Sequence, residues 1–204
     1  MGRMPSNKER LVLLPKPVVG GSVSVSDALA MRRSCREFQP KNLSRDQVAQ
    51  LCWAAQGITD DHKGLRTSPS AGAWYPITVF VADADGVFEY RPQEHALSPV
   101  LESDARSGLQ NAAAGQSCLG EAPLCLVIAV DIQRMVSKYH ADAERYCLIE
   151  VGHVAQNVLV QATAMGLAGA PIGAFDRDEA FSALRLARYL QPVYLLPIGF
   201  PRVY

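Results

Sequence analysis

The chain has 204 residues, of which 49% are hydrophobic and 20% charged, as in a soluble globular domain. At this length one domain burying roughly 70% of its unfolded surface is expected, which excludes a mini-protein held by disulfide or metal staples. Lys+Arg and Asp+Glu both number 20, which removes the basic excess of a nucleic-acid binder and leaves self-association unopposed by net repulsion.

Residues 1–23 read as an extended arm, because Pro15, Pro17, Gly20 and Gly21 exclude a helix. Such an arm is either disordered or laid across another surface, a second subunit among them. A helix is expected over about 25–33, with Ser24 or Ser26 as N-cap. The next carries the capping box Ser44-Arg45-Asp46-Gln47, then Val48, Leu51, Cys52 and Ala55 at helical spacing, with Gly57 past its end. Residues 66–76 form a loop of small side chains. A strand over 77–82 then pairs with 87–90 as a hairpin across Asp83-Ala84-Asp85-Gly86. A polar helix over 103–114, a buried strand over 124–130 and a short helix over 132–138 follow. The longest helix runs over about 143–167, with Cys147, Val151, Val154, Val158, Ala162 and Met165 on one face. A second line, Glu150, His153, Asn157 and Gln161, is either a solvated stripe or a polar face buried against another helix or a ligand. A short strand at 170–174, a helix capped by Asp176 with Glu179 at its third position, and a last strand over 192–199 complete the order. The result is an α+β fold in which residues 24–204 form one domain with a small sheet.

The five cysteines (Cys35, Cys52, Cys118, Cys125, Cys147) are odd in number and lack CxxC spacing, and His62, His95, His140 and His153 make no metal-ligand pair with them. Neither a disulfide framework nor a zinc site is expected. Cys52 and Cys147, set among apolar residues, read as buried small hydrophobes. The apolar run Leu11-Val12-Leu13-Leu14 stops at Pro15, too short for a signal segment, and no run nears the ~20 residues that span a bilayer. A cytoplasmic protein with no membrane or nucleic-acid partner is expected.

The densest candidate for chemistry is Arg32-Arg33-Ser34-Cys35-Arg36, three guanidinium forks and a hydroxyl that match phosphate oxygens. Cations that end a helix also bind its free carbonyls, which accounts for Arg32 and Arg33 better than for Arg36. Pro69-Ser70-Ala71-Gly72-Ala73 lets backbone approach a flat ligand, or is a plain turn; it is neither a Walker A loop nor GxGxxG. Gly169-Ala170-Pro171-Ile172-Gly173-Ala174-Phe175 is a helix-to-strand connection or a place where a backbone N–H meets a ligand. Arg202 is a late, isolated cation that reads as a surface residue.

Together these segments resemble the nitroreductase superfamily of flavoproteins, closest to the branch containing the azoline-oxidising dehydrogenases of thiazole/oxazole peptide biosynthesis. The resemblance rests on residues 32–38, 51–57 (Leu-Cys-Trp-Ala-Ala-Gln-Gly), 66–76, 150–157 with Gly166-Leu167, and Leu196-Pro197-Ile198-Gly199. It implies an FMN-binding dimer with flavins at the subunit interface, fed by NAD(P)H and passing electrons to a small-molecule substrate. By the same resemblance Arg32, Arg33 and Ser34 hold the FMN phosphate and ribityl chain. Arg36 faces the pyrimidine edge, where a cation favours the negative charge of the reduced ring. Pro69, Ser70, Ala71 and Gly72 approach the ring from the partner, Ile172, Gly173 and Ala174 lie beside it, and Arg202 reaches the phosphate. Ala73 and Tyr75 stand where nitroreductases carry Asn and Gln, and Gly173-Ala174 where they carry Glu-Gly, departures that fit the azoline-dehydrogenase-like branch. A flavin-binding protein without turnover, and a dehydrogenase acting on a modified peptide, are the alternatives.

Overall fold

The computed structural model describes residues 11–202; residues 1–10 of the expected arm lie outside the described residues. Its elements are β1 (Val12–Leu13), α1 (Val25–Met31), α2 (Arg45–Gln56), β2 (Ile58–Asp60), β3 (Leu65–Arg66), β4 (Ile77–Asp83), β5 (Val87–Arg91) and β6 (Ala96–Leu101), followed by α3 (Arg106–Ala112), α4 (Cys118–Glu121), β7 (Leu124–Val130), α5 (Ile132–Tyr139), α6 (Ala143–Ala164), β8 (Ala168–Gly169), α7 (Arg177–Leu184) and β9 (Gln191–Gly199). The main sheet has the order β1-β6-β5-β4-β7-β9-β8, with every neighbouring pair antiparallel; β2 and β3 form a separate ribbon.

The strand β7 is apolar at all seven positions because both of its faces are covered. Leu124, Leu126, Ile128 and Val130 join Leu51, Val151 and Val154 from α2 and α6. Cys125, Val127 and Ala129 turn the other way, to Leu109 of α3, Leu119 of α4 and Leu184 of α7. Each fully buried leucine or isoleucine contributes on the order of 1.5–3 kcal/mol, so this double cover is the main source of stability. Cys52 and Cys147 are buried in the first of these clusters, as their neighbours in sequence imply.

The sheet is wider than the sequence suggests, since β1, β6 and β8 carry no strand signature. The expected strand at 170–174 is instead β8 two residues earlier, plus a single bridge between Ile172 and Leu195. The first helix also stops early. Ser24 caps it, but Arg32 leaves helical geometry at φ −55, ψ 118, and Ser34 pairs with Gly169. Both hydrogen bonds of the Ser44 capping box form.

Residues 11–18 lie across their own subunit. Val12 and Leu13 pair with Leu97 and Ala96, Leu14 N–H donates to the His95 carbonyl at 2.9 Å, and Arg45 Nη2 donates to the Leu13 carbonyl at 2.7 Å. Gln50 clamps Val18 as a strand would: its Oε1 accepts Val18 N–H at 2.9 Å and its Nε2 donates to the Val18 carbonyl at 3.1 Å.

Candidate functional site

The helix α1 ends where the arginine segment begins. Arg33 folds back on the helix, its Nη1 donating to the Ala30 carbonyl at 3.0 Å and the Arg32 carbonyl at 2.7 Å. That is the helix-end role, and it occupies part of one of the three guanidinium groups. Arg32 is half-buried and Arg36 exposed. The side chains of Arg32, Arg36 and Arg202 make no hydrogen bond or ion pair among the described residues.

Backbone pairing gathers these residues. Cys35 N–H donates to the Gly169 carbonyl at 3.0 Å, Gln39 N–H to Phe200 at 2.9 Å, and Arg202 N–H to Glu37 at 3.0 Å. The extended segment 34–39 therefore runs between β8 and the chain after β9, carrying Arg202 to the neighbour of Arg36. Ile172 exchanges two hydrogen bonds with Leu195, at 2.9 and 3.0 Å, and packs in one cluster with Phe38. Gly173 and Ala174 are exposed beyond it. Backbone pairing thus brings Ser34, Arg36, Ile172 and Arg202 onto adjoining strands with Gly173 and Ala174 next along the chain; Arg202, a surface cation by residue pattern and a phosphate contact by resemblance, lies beside Arg36.

The small-residue loop is elsewhere in the same subunit. Ser68 Oγ donates to the Ala55 carbonyl at 2.9 Å, Thr67 Oγ1 to the Trp53 carbonyl at 3.0 Å, and Asn157 Nδ2 to Ser68 Oγ at 3.0 Å and the Thr67 carbonyl at 3.2 Å. These bonds tie the loop to α2 and α6. Beyond them Pro69 is exposed, Ser70 and Ala71 are half-buried, and Gly72 has φ +58. No hydrogen bond or ion pair among the described residues joins residues 69–72 to residues 32–36. A Cβ on Gly72 would sit 2.5 Å from Lys138 Nζ and 2.7 Å from Tyr139 Oη, so an amine and a phenol lie directly over the loop.

Comparison with known proteins decides the family. The nitroreductase family model matches residues 29–200. The chain belongs to the nitroreductase family. It is 36% identical over 183 residues to MJ1384 of Methanocaldococcus jannaschii, a protein assigned by name to the nitroreductases, covering 87% of this chain and 91% of that one. A crystal structure from Ralstonia eutropha JMP134, likewise named for the nitroreductases, superposes with a TM-score of 0.88 at 28% identity over 100% of this chain and 97% of that one. The Escherichia coli microcin synthetase McbBCD complex with truncated pro-MccB17 bound is similar at a TM-score of 0.73 and 25% identity, over 97% of this chain and 80% of that one. The α+β fold and the nitroreductase resemblance are those expected from the sequence.

Four site-adjacent residues escaped the sequence reading. Lys138 and Tyr139 end α5 without any motif, and only the glycine they cover marks them. Gln56 and Arg66 lie within recognised segments but show no pattern of their own; their meeting with Glu150 is a tertiary event. Among the described residues no helix is long and apolar enough to cross a membrane.

Proposed function

We propose that the protein is an FMN-dependent oxidoreductase that takes hydride from NADH or NADPH and passes electrons to a second, small-molecule substrate, working as a homodimer. The observation that carries this reading is the set of unpartnered guanidinium groups of Arg32, Arg36 and Arg202, held by backbone pairing beside the exposed Gly173–Ala174 backbone. These residues fit FMN: Arg32, Arg33 and Ser34 offer donors for a phosphate and a polyol, and Arg36 supplies a cation for the pyrimidine edge of the ring. Bound FMN would supply the hydride chemistry; the protein binds, orients and tunes it. The separation of residues 69–72 from the arginine segment within one subunit supports a site completed by the partner's loop. Lys138 and Tyr139, above Gly72, are the groups placed to hold or move a proton there.

The test is the absorption spectrum of the purified protein before and after anaerobic NADH or NADPH. A flavin spectrum that bleaches is expected, and Arg32→Ala should weaken FMN binding by ~1.5–3 kcal/mol. A colourless protein that binds no FMN would defeat the reading. FMN bound but bleached by no reductant would favour a flavin-binding protein without turnover. Similarity to the McbBCD complex, which holds a truncated pro-MccB17, favours a second reading, dehydrogenation of an azoline in a modified peptide. Bleaching by a thiazoline-containing peptide but by neither nicotinamide would select it.

A further inference from the structure

The four buried side-chain atoms that lack a hydrogen-bond partner among the described residues all lie in one place: Gln56 Nε2, Arg66 Nε and both carboxyl oxygens of Glu150. Two are donors and two are acceptors. Gln56 ends α2, Arg66 lies in β3, and Glu150, 2% exposed, comes from the middle of α6. Arg66 Nη1 donates to Gln56 Oε1 at 2.8 Å, and the Arg66 guanidinium lies 4.4 Å from the centre of the Tyr75 ring. Tyr75 Oη accepts the Arg66 N–H at 3.2 Å, and Ser70 Oγ accepts the Tyr75 N–H at 2.8 Å. The Ser70 hydroxyl proton is left to donate.

This cluster sits under a strained loop. Gly72, Ala73 and Tyr75 have φ of 58, 56 and 48, and two of them are not glycine. Such conformations persist only where surrounding contacts enforce them. Here Tyr75 is held through Ser70 and Arg66, and both of these groups act on the Glu150 carboxyl. A neutral carboxyl would bring a third donor hydrogen into a place that already has two unpaired donors. A carboxylate accepts from all of them.

We propose that Glu150 is a positioning residue: its carboxylate draws Ser70, Gln56 and Arg66 together and fixes the 70–75 loop, and its protonation slackens that loop. The consequence for flavin rests on the reading that residues 69–72 touch FMN; the loop effect does not. Burial pushes the carboxyl from 4.5 up to about 7, against the opposing pull of Ser70, Gln56, Arg66 and Arg134. The other titratable and charged groups around it are Arg66 from β3, Tyr75 from the loop, Tyr90 from β5, Asp131 capping α5 and Arg134 within it, and Cys147 on α6 itself. Burial pushes Cys147 up to about 11 and moves Tyr90 upward too, so neither titrates near neutrality. Lys138 and Tyr139 cover the far side of the loop, and His153 is exposed one turn along α6. A cavity of about 310 Å3, lined by Gln56, Arg66, Tyr75 and Arg134, adjoins the cluster and gives water a route to it.

The sign differs between loop and whole chain. Loop order should rise as pH rises through about 7. Global stability should instead fall between 4.5 and about 7, because the native state holds the proton that the unfolded chain has released. The experiment uses the full chain with Trp53→Phe, which leaves Trp74, within the loop, as the one tryptophan of the two. Trp74 emission is followed from pH 5.5 to 8.5, and FMN affinity is measured at pH 6 and 8. A Trp74 transition near pH 7 is expected. It should persist in His153→Asn, vanish in Glu150→Gln and change midpoint in Glu150→Asp, the variant that serves if Glu150→Gln does not fold. FMN should bind roughly 3–10-fold more tightly at pH 8, about 0.6–1.4 kcal/mol, and Glu150→Gln should lose that dependence. A flat Trp74 profile, an unchanged transition in Glu150→Gln, or a loop that loosens at high pH would overturn the proposal. A normal Trp74 transition with no FMN binding would sink the flavin reading alone.

Discussion

Arg33 and Arg36 lie three residues apart and serve different ends. Arg33 spends one nitrogen, Nη1, on the carbonyls that α1 leaves open, and keeps Nη2 and Nε for a ligand. Arg36 lies past the helix, on extended chain, with its guanidinium exposed. If it faces the pyrimidine edge of FMN, it stabilises the reduced ring's negative charge more than the neutral oxidised ring. Arg36→Ala should then lower the flavin midpoint; a differential loss of ~1.4 kcal/mol corresponds to roughly 30 mV for a two-electron couple. Arg36→Lys should lose less, because it keeps the charge without the planar fork. A dye-equilibrated redox titration of the three proteins measures this, and an unchanged midpoint in Arg36→Ala would reduce Arg36 to a phosphate or structural residue. The distinction between Arg33 and Arg36 was legible in sequence, since it depends only on where a helix ends. The polar line on α6 was not. Its members lie at helical spacing, yet Glu150 is buried, His153 is exposed, and Asn157 and Gln161 bond to the 67–68 loop and to Gln50. Which fate each meets depends on what packs opposite, and no local pattern encodes that.

Among the elements, those that bury a continuous run or carry a cap could be read directly: β7, α2, α6 and α7. The strand β6 could not, because Ser98 and Pro99 interrupt it. The fold tolerates Pro99 because β1 pairs only with Ala96 and Leu97, so the outer side of β6 is an open edge at Pro99 and needs no N–H. The two-residue strands β1 and β8 have too few positions to show any alternation. Gly57 gives a sharper lesson. The sequence marks it as the glycine after a helix, where a positive φ is the usual reason. Its φ is −62, which any residue can adopt. What excludes a side chain is Trp53, whose indole ring and backbone carbonyl both occupy the space a Cβ would need. Gly57→Ala should therefore destabilise the protein by about 1–3 kcal/mol through overpacking. Ser44→Ala, at the other end of the same helix, should cost ~1 kcal/mol for the lost cap. Chemical denaturation of both variants compares them, and a Gly57→Ala protein as stable as wild type would show that the Trp53 ring and the last turn of α2 give way freely.

At the scale of the whole molecule, α1 faces the wrong way for an isolated subunit. Of its seven residues only Ala28 is buried, while Val25, Leu29 and Met31 are 71%, 50% and 54% exposed. Val18 and Val19 on the adjoining arm are exposed at 71% and 83%. A cavity of about 530 Å3 lies between this arm, α1, α2 and α6, open along the same apolar surface. Contiguous apolar surface of this kind marks an interaction site, and each of these side chains would contribute about 1.5–3 kcal/mol if fully covered. The net charge of zero adds no repulsion between copies. On the proposed homodimer reading, a second copy of the chain would be the cover that also explains why residues 69–72 stand apart from the arginine segment: each subunit would supply the loop for the other's flavin. The wild-type protein should therefore be a dimer by light scattering. Leu29→Glu combined with Met31→Glu should give a monomer, because two carboxylates cannot be buried unpaired in such an interface. That monomer should lose most of its FMN affinity although Arg32, Arg33, Ser34 and Arg36 are untouched, since the partner's loop is gone. A wild-type monomer with full FMN occupancy would contradict both the interface and the shared site. A monomeric double variant that binds FMN as well as wild type would leave the interface standing and place the whole flavin site within one subunit.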